Sequence, residues 1–393
     1  MIYLDHAATT PLRREALDAM LPFLTEIFGN PSSAHAAGRK AKAALDEAHE
    51  TVARILNGAP REVVFTSGGT EAINLAIKGA AWASKAHGNQ IITTAVEHHA
   101  ALHAVQHLER FGFEAVVLPV DRYGRVDPDA VAGAITDRTI LVTLMLANNE
   151  VGTIQPIAEI IDRVRQHPRI LVHLDAVQAA PYLPIDVATL GVDMVSIGAH
   201  KFEGPKGTGA LWMRHGTTIL PQTQGGSQER YRRAGTEDVA GAVGLAAAFD
   251  LCTRERTAEV RRLRRLRDRL RDAILAVPGV ELTGHPRERL PGHLSVICRD
   301  ADGVSITLAL DLDGICASTG SACTTGSPEP SHVLTALGYP EEEALGAVRM
   351  SLGRQTTEAE VERAVEVIPR TMARMRAGAD AMAADPLGQQ VPV

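Results

Sequence analysis

An α/β fold organised around a seven-stranded, mostly parallel sheet is predicted by two observations. Short β-branched or apolar runs alternate with helical patterns from Val63 to Met213, and the residues with chemical character fall just after the ends of those runs. In order, the runs are Val63 to Thr66, Ile91 to Ala95, Ala115 to Pro119, Ile140 to Leu146, Ile170 to Asp175, Met194 to Ile197 and Ala210 to Met213. Helix-like segments at Glu71 to Ala86, Ala100 to Phe111 and Ile157 to Gln166 separate them, so helices are expected on both faces of the sheet.

After Gly235 the pattern changes to a long helical stretch reaching about Val277, with Leu263, Leu266, Leu270 and Ile274 at helical spacing. Its arginines fill the opposite face, which reads as a solvated, salt-bridged surface rather than a docking site. Shorter strands and helices return from His293 to about Thr356. The chain is thus expected to divide into a large domain at 13–255 and a smaller α+β one made of 1–12 and 256–393, as suits 393 residues when single cores stop growing near about 250 to 300. Residues from about Gly378 onward lack periodicity and are expected to fray.

Composition narrows the function. Hydrophobic residues make up 45% and charged residues 22%, as in ordinary globular enzymes, and a formal charge of −7 argues against direct nucleic-acid binding through bulk electrostatics. No apolar run approaches the roughly 20 residues of a membrane span, and the first segment lacks a basic region followed by an apolar core. Four cysteines form no C-x-x-C pair or zinc spacing, so a reducing, cytoplasmic setting is expected.

The most informative loop is SIGAHKFEGPKGTG, from Ser196 to Gly209. Lysine is rare in this chain, six against thirty-four arginines, yet two stand here. An amine forms a Schiff base with an aldehyde and a guanidinium does not, so the loop is a candidate anchor for a carbonyl cofactor such as pyridoxal phosphate. Ser67-Gly68-Gly69-Thr70 follows a strand and opens a helix, a phosphate cradle or simply a turn. Asp175 ends an apolar run, where a carboxylate is costly unless paired; a pyridinium nitrogen would pair it, and so would a helix N-terminus. Gln178 lies one helical turn on. His99, His103 and His107 form an i, i+4 ladder, but no carboxylate or cysteine completes a metal set, so none is expected. His98, at a strand-to-helix junction, is better placed to stack on a ring or move a proton. Cys323 stands in a run of small residues, where an accessible thiol can react, whereas Cys298 and Cys316 read as buried strand residues. Arg354 is suited to clamp a carboxylate or to form a structural salt bridge.

Together these pieces resemble the cysteine desulfurases of the NifS/IscS type, fold-type-I pyridoxal phosphate enzymes related to class V aminotransferases. The resemblance runs nearly end to end: YLDHAATTP from Tyr3, GNPSSAH from Gly29, TSGGTEAIN from Thr66, EHHA from Glu97, NNEVG from Asn148, HLDAVQ from His173, AHKFEGPKG from Ala199, RAGTED from Arg233, STGSACTTGSPEPSHVL from Ser318 and RMSLGR from Arg349. It implies that Lys201 carries the Schiff base and that Lys206 is structural. It further implies that Asp175 faces the pyridine nitrogen, that Gln178 and Asn149 contact the ring oxygen, and that His98 stacks on the ring. Gly69, Thr70 and His200 would hold the phosphate, with Thr236 reaching in from the second subunit of a homodimer. Many relatives have Ser where this chain has Gly198, so a phosphate hydroxyl is missing unless Ser196 or water replaces it.

The implied reaction takes sulfur from L-cysteine. Arg354, with Asn149 beside it, grips the substrate, Lys201 removes the Cα proton, and Cys323 attacks the sulfur, leaving a persulfide on Cys323 and releasing alanine. The persulfide then passes to an acceptor protein, such as an iron-sulfur scaffold or a thiolation carrier. A selenocysteine lyase or class V transaminase would use the same site, and a noncatalytic sulfur-relay scaffold would keep only the fold.

Overall fold

The computed structural model describes residues 1–319 and 330–384. Its centre is a seven-stranded sheet in the spatial order Val63–Thr66, Gly209–Met213, Met194–Gly198, Leu171–Asp175, Thr139–Met145, Gln90–Thr94 and Glu114–Leu118. Gly209–Met213 runs antiparallel to both neighbours, and the other pairings are parallel. Every strand predicted from the sequence is present, shifted by at most a residue or so at each end.

Alternation along the strands sorts side chains to two faces. Phe65, Val142, Leu144, Val172, Leu174, Val195 and Ile197 enter one core, under the helices Ala36–Leu56 and Ile157–Val164. Val64, Ile91, Leu141, Met194 and Leu211 enter the other, under Gly69–Ser84 and His99–Glu109. With both faces covered the strands are nearly all apolar, the expected signature of a buried parallel sheet.

The long helix is one element, Val239–Leu275, capped by the Asp238 side chain on the Gly241 N–H. Its first half gives Leu245 and Phe249 to the core of the large sheet. Its second half gives Leu263, Leu266, Leu270 and Ile274 to a separate core. That second core lies on a three-stranded antiparallel sheet of Val280–Leu282, His293–Cys298 and Ala347–Ser351. Residues 255 and 256, where the sequence reading divides the chain, lie within this helix. The N-terminal strand Ile2–Tyr3 pairs in parallel with Ile315–Cys316, and Asp5 bridges to Ser351. The C-terminal helix runs Glu358–Ala384, so residues 378–384, part of the stretch expected to fray, have helical backbone, and four of these seven are alanine, which favours helix without needing a periodic face; residues 385–393 lie outside the described residues. Among the described residues no helix is long and apolar enough to cross a membrane.

Candidate active site

Strand direction gathers the chemistry at one edge. Val63–Thr66, Gln90–Thr94, Thr139–Met145, Leu171–Asp175 and Met194–Gly198 all end on the same side of the sheet. The residues that follow these ends line a cavity of about 380 Å³, which fits a small-molecule site. Gly69, Thr70, His98, Asn149, Asp175, Gln178, His200 and Lys201 all line it. Eight of the residues singled out from the sequence are therefore neighbours in space.

Lys201 sits in a single 3₁₀ turn, Ala199–Lys201, directly after its strand. Its Nζ donates to the carbonyl oxygens of Ala7 and Ala8 at 2.6 and 2.9 Å, so the N-terminal segment holds the amine. The clamp continues beside it, where Thr10 N–H donates to the His200 carbonyl at 3.0 Å and Arg13 N–H to the Glu203 carbonyl at 2.8 Å. Gln178 Nε2 donates to the same Ala7 carbonyl at 2.7 Å.

Asp175 is buried, and that burial raises its carboxyl to about 6 although Val177 N–H donates to Oδ1 at 2.9 Å and Lys201 lies near. A carboxylate so placed favours a cationic partner. Beneath it His173 bonds Thr143 Oγ1 and Ser196 Oγ, each at 2.8 Å, and burial lowers its imidazole to about 3. Burial and then Lys201 depress His98 and His200 to about 4, so both rings are neutral at pH 7. His98 Nδ1 accepts the Ala100 N–H at 3.0 Å, capping its helix and fixing the ring proton on Nε2. At the other end of the cavity the sixteen-residue helix Gly69–Ser84 opens. A Cβ at Gly69 would stand 2.7 Å from Val177 Cγ2, so only glycine brings this helix start so close. With Thr70 exposed at the same turn, it offers N–H groups, a hydroxyl and the positive end of a helix dipole. Asn149 Oδ1 is buried without a hydrogen-bond partner among the described residues.

Two expectations are corrected. Arg354 does not line this cavity; it is exposed, its Nε donates to Glu203 Oε2 at 2.7 Å, and it borders a separate, smaller pocket behind Lys201. The arginine in the cavity is Arg349, whose Nη2 donates to Asp5 Oδ1 at 2.8 Å and whose Nη1 donates to the Asn149 carbonyl at 3.1 Å. The reason is register, since the strand Ala347–Ser351 is wholly buried and carries Arg349 inward, while Arg354 lies beyond its end. Ser196 cannot replace a hydroxyl at 198, because it is fully buried against His173 and does not line the cavity. Of the i, i+4 histidines His99 borders the cavity, and so does the distant His332.

Thr236 is exposed and does not line the cavity of its own chain, and Lys206 Nζ donates to the Thr10 carbonyl at 3.5 Å. Gly198 has room, since a Cβ there would meet Val177 Cγ1 at 3.4 Å and Gly69 N at 3.5 Å, ordinary contacts. Cys323 lies outside the described residues. A signal for Arg349 was present in the sequence, because a guanidinium inside AVRMSL is costly unless a partner or ligand meets it.

Comparison with known proteins gives a consistent result. The family model described as aminotransferase class-V matches residues 2–364. A curated relative named cysteine desulfurase IscS, from Methanosarcina thermophila, is 50% identical over 95% of this chain and 93% of its own length. Among solved structures, a NifS-like protein superposes with a TM-score of 0.90 at 36% identity, covering 95% of this chain and 99% of that one. SspA in complex with cysteine gives a TM-score of 0.79 at 33% identity, over 90% of this chain and 99% of that one.

Proposed function

The chain belongs to the class-V aminotransferase family, and we propose that within it the protein is a cysteine desulfurase that holds pyridoxal phosphate in the cavity and takes the sulfur of L-cysteine. The observation that carries this reading is the meeting, in one cavity, of an amine, a buried carboxylate, a glycine-opened helix start and an inward arginine from distant parts of the chain. Those groups match an aldehyde, a pyridine nitrogen, a phosphate and an amino-acid carboxylate in turn. The relatives support the choice of substrate, being named cysteine desulfurases or, in one structure, holding cysteine.

Lys201 would anchor the aldehyde, Asp175 would face the ring nitrogen, Gln178 and Asn149 the ring oxygen, and Gly69, Thr70 and His200 the phosphate. When bound, pyridoxal phosphate supplies an electron-accepting ring that stabilises negative charge at the substrate Cα. Arg349, not Arg354, grips the substrate carboxylate and sets the Cα hydrogen toward Lys201 Nζ, which removes it. His98 would stack on the ring, and with Nδ1 accepting the Ala100 N–H its Nε2–H is the group it has to donate. Cys323, as thiolate, attacks the substrate sulfur; the S–S bond forms, the Cβ–S bond breaks, and carbon takes a proton to leave alanine. The persulfide on Cys323 goes to an acceptor protein in a cytoplasmic homodimeric enzyme, to whose second site Thr236 contributes. Free thiols at Cys252, Cys298 and Cys316 suit a reducing compartment.

Two variants test this. Lys201→Ala abolishes the visible absorbance of the lysine-linked cofactor and all alanine release. Cys323→Ala keeps the colour but forms no persulfide; persulfide formation from cysteine at the wild-type rate would refute the assignment.

A further inference from the structure

The reaction must dispose of a proton that the groups described so far do not take. L-cysteine arrives mostly as a thiol, with a pKa of about 8.5, and its S–H opens as the sulfur is handed on to form an ionised persulfide. His98 is poorly suited. Its Nδ1 is occupied by the Ala100 N–H, and its Nε2 already carries the proton.

Beside it stand three further imidazoles in a row from cavity to surface. His332 and His99 line the cavity with ring centroids 4.5 Å apart, and His99 and His103 follow at 4.8 Å. His332 and His99 are half-buried, whereas His103 is exposed. His332 Nε2 lies 3.0 Å from the Glu97 carbonyl oxygen. A carbonyl only accepts, so Nε2 bears the hydrogen and Nδ1 keeps its lone pair. His99 Nδ1 is buried with no hydrogen-bond partner among the described residues. No set of three His, Cys, Asp or Glu side chains among those residues is arranged to hold a metal ion, so the row does not read as a metal site.

We propose that the His332–His99 pair accepts the thiol proton of the cysteine substrate and that His103 passes it to solvent. As the sulfur is attacked, the S–H bond breaks with its electron pair left on what becomes the outer, ionised sulfur of the persulfide, the Cβ–S pair goes to carbon, an N–H bond forms at an imidazole Nδ1, and the imidazolium releases its proton through His103. This deepens the desulfurase reading and rests on it. The elements around the row are consistent with a neutral acceptor. His98 and Glu97 precede it on its own chain, and Glu97 is buried, its carboxyl raised to about 8 mainly by burial and so protonated at pH 7. Ser331 bonds Glu150 beside His332, and the helix Gly69–Ser84 presents Asn74 to the Ala100 carbonyl at 3.4 Å. Lys201, Asp175, Glu150 and Arg349 are the charged groups that line the same cavity as the row. Burial first, then His332 and His103, lower the His99 imidazole, keeping it ready to accept.

The test compares His99→Gln, His332→Gln, the double variant and His103→Gln with wild type, all loaded with cofactor, from pH 6 to pH 9.5. At pH 7 the double variant should release alanine from cysteine about a hundredfold more slowly, within the usual range for lost acid-base catalysis. Deuterium exchange at the substrate Cα, which precedes sulfur transfer, should be unchanged. The deficit should close as pH rises through the thiol's own pKa, and added imidazole should restore rate at pH 7. His103→Gln should show a deficit of about threefold that shrinks with buffer concentration. Nitrogen-15 spectra of the cofactor-free chain should show His332 protonated at Nε2. Unchanged alanine release in the double variant, a deficit independent of pH, Cα exchange falling in step, or the opposite His332 tautomer would each overturn the proposal. If wild type itself releases no alanine from cysteine, it is the desulfurase reading that has failed.

Discussion

On the wall formed by the large sheet, each functional residue follows the end of a strand, whereas on the opposite wall Arg349 sits in the middle of one and His332 opens a short helix, His332–Ala336. The first wall is assembled by parallel topology, which aims every strand end at the same edge. Long-range pairing assembles the second: Asp5 bridges Ser351, Ser318 bridges Arg349, and the Arg349–Asp5 ion pair ties the N-terminal segment to the small sheet. The N-terminal segment touches both, giving Ala7 and Ala8 carbonyls to Lys201 and Asp5 to Arg349. In the proposed function the strand-end wall supplies the groups for the cofactor, and the register-built wall those for the amino-acid substrate.

The contrast can be broken from the cofactor side first. Asp175→Asn should cut turnover roughly a hundred- to a thousandfold, the scale of losing one preorganised electrostatic partner. It should have the opposite effect on the cofactor-free protein. Because the folded carboxyl titrates at about 6 against 3.8, the wild-type stability from this group is complete below about pH 3.8 and is lost as pH rises through about 6. Removing the charge should therefore raise the melting temperature at pH 8 by an amount corresponding to about 3 kcal/mol and leave pH 4 nearly unchanged. A variant less stable at pH 8 would contradict the burial argument.

On the substrate wall, Arg349→Ala should lower kcat/KM for cysteine about a hundredfold, roughly 3 kcal/mol for a charge-assisted pair, with the visible absorbance retained. The smallest effect sharpens the difference between the two arginines. Arg354→Ala should leave kcat/KM within about threefold and cost about 1 kcal/mol of stability, since it removes a half-exposed ion pair to Glu203. Equal losses of kcat/KM in the two variants would show that the carboxylate clamp has been assigned to the wrong wall.

The same division explains what could be read from the sequence. Residues placed by a strand end carry a local signature, an apolar run followed by a polar or glycine residue, so Lys201, Asp175, His98 and Gly69 were identifiable one by one. Arg349 and Arg354 share one motif, and only the register of Ala347–Ser351 against His293–Cys298 turns the first inward and leaves the second outside. Ser196 neighbours the loop in sequence, yet its strand pairs it with Asp175 and its hydroxyl is spent on the His173 ring. His332 gave no periodic signal; its part follows from a ring contact with His99 across more than two hundred residues of chain.

The most direct test of the central claim is to reduce the coloured protein with borohydride and map its peptides. A pyridoxyl group is expected on Lys201, with Lys206 unmodified. Label on Lys206, or a protein that binds pyridoxal phosphate without any reducible bond to Lys201, would contradict it.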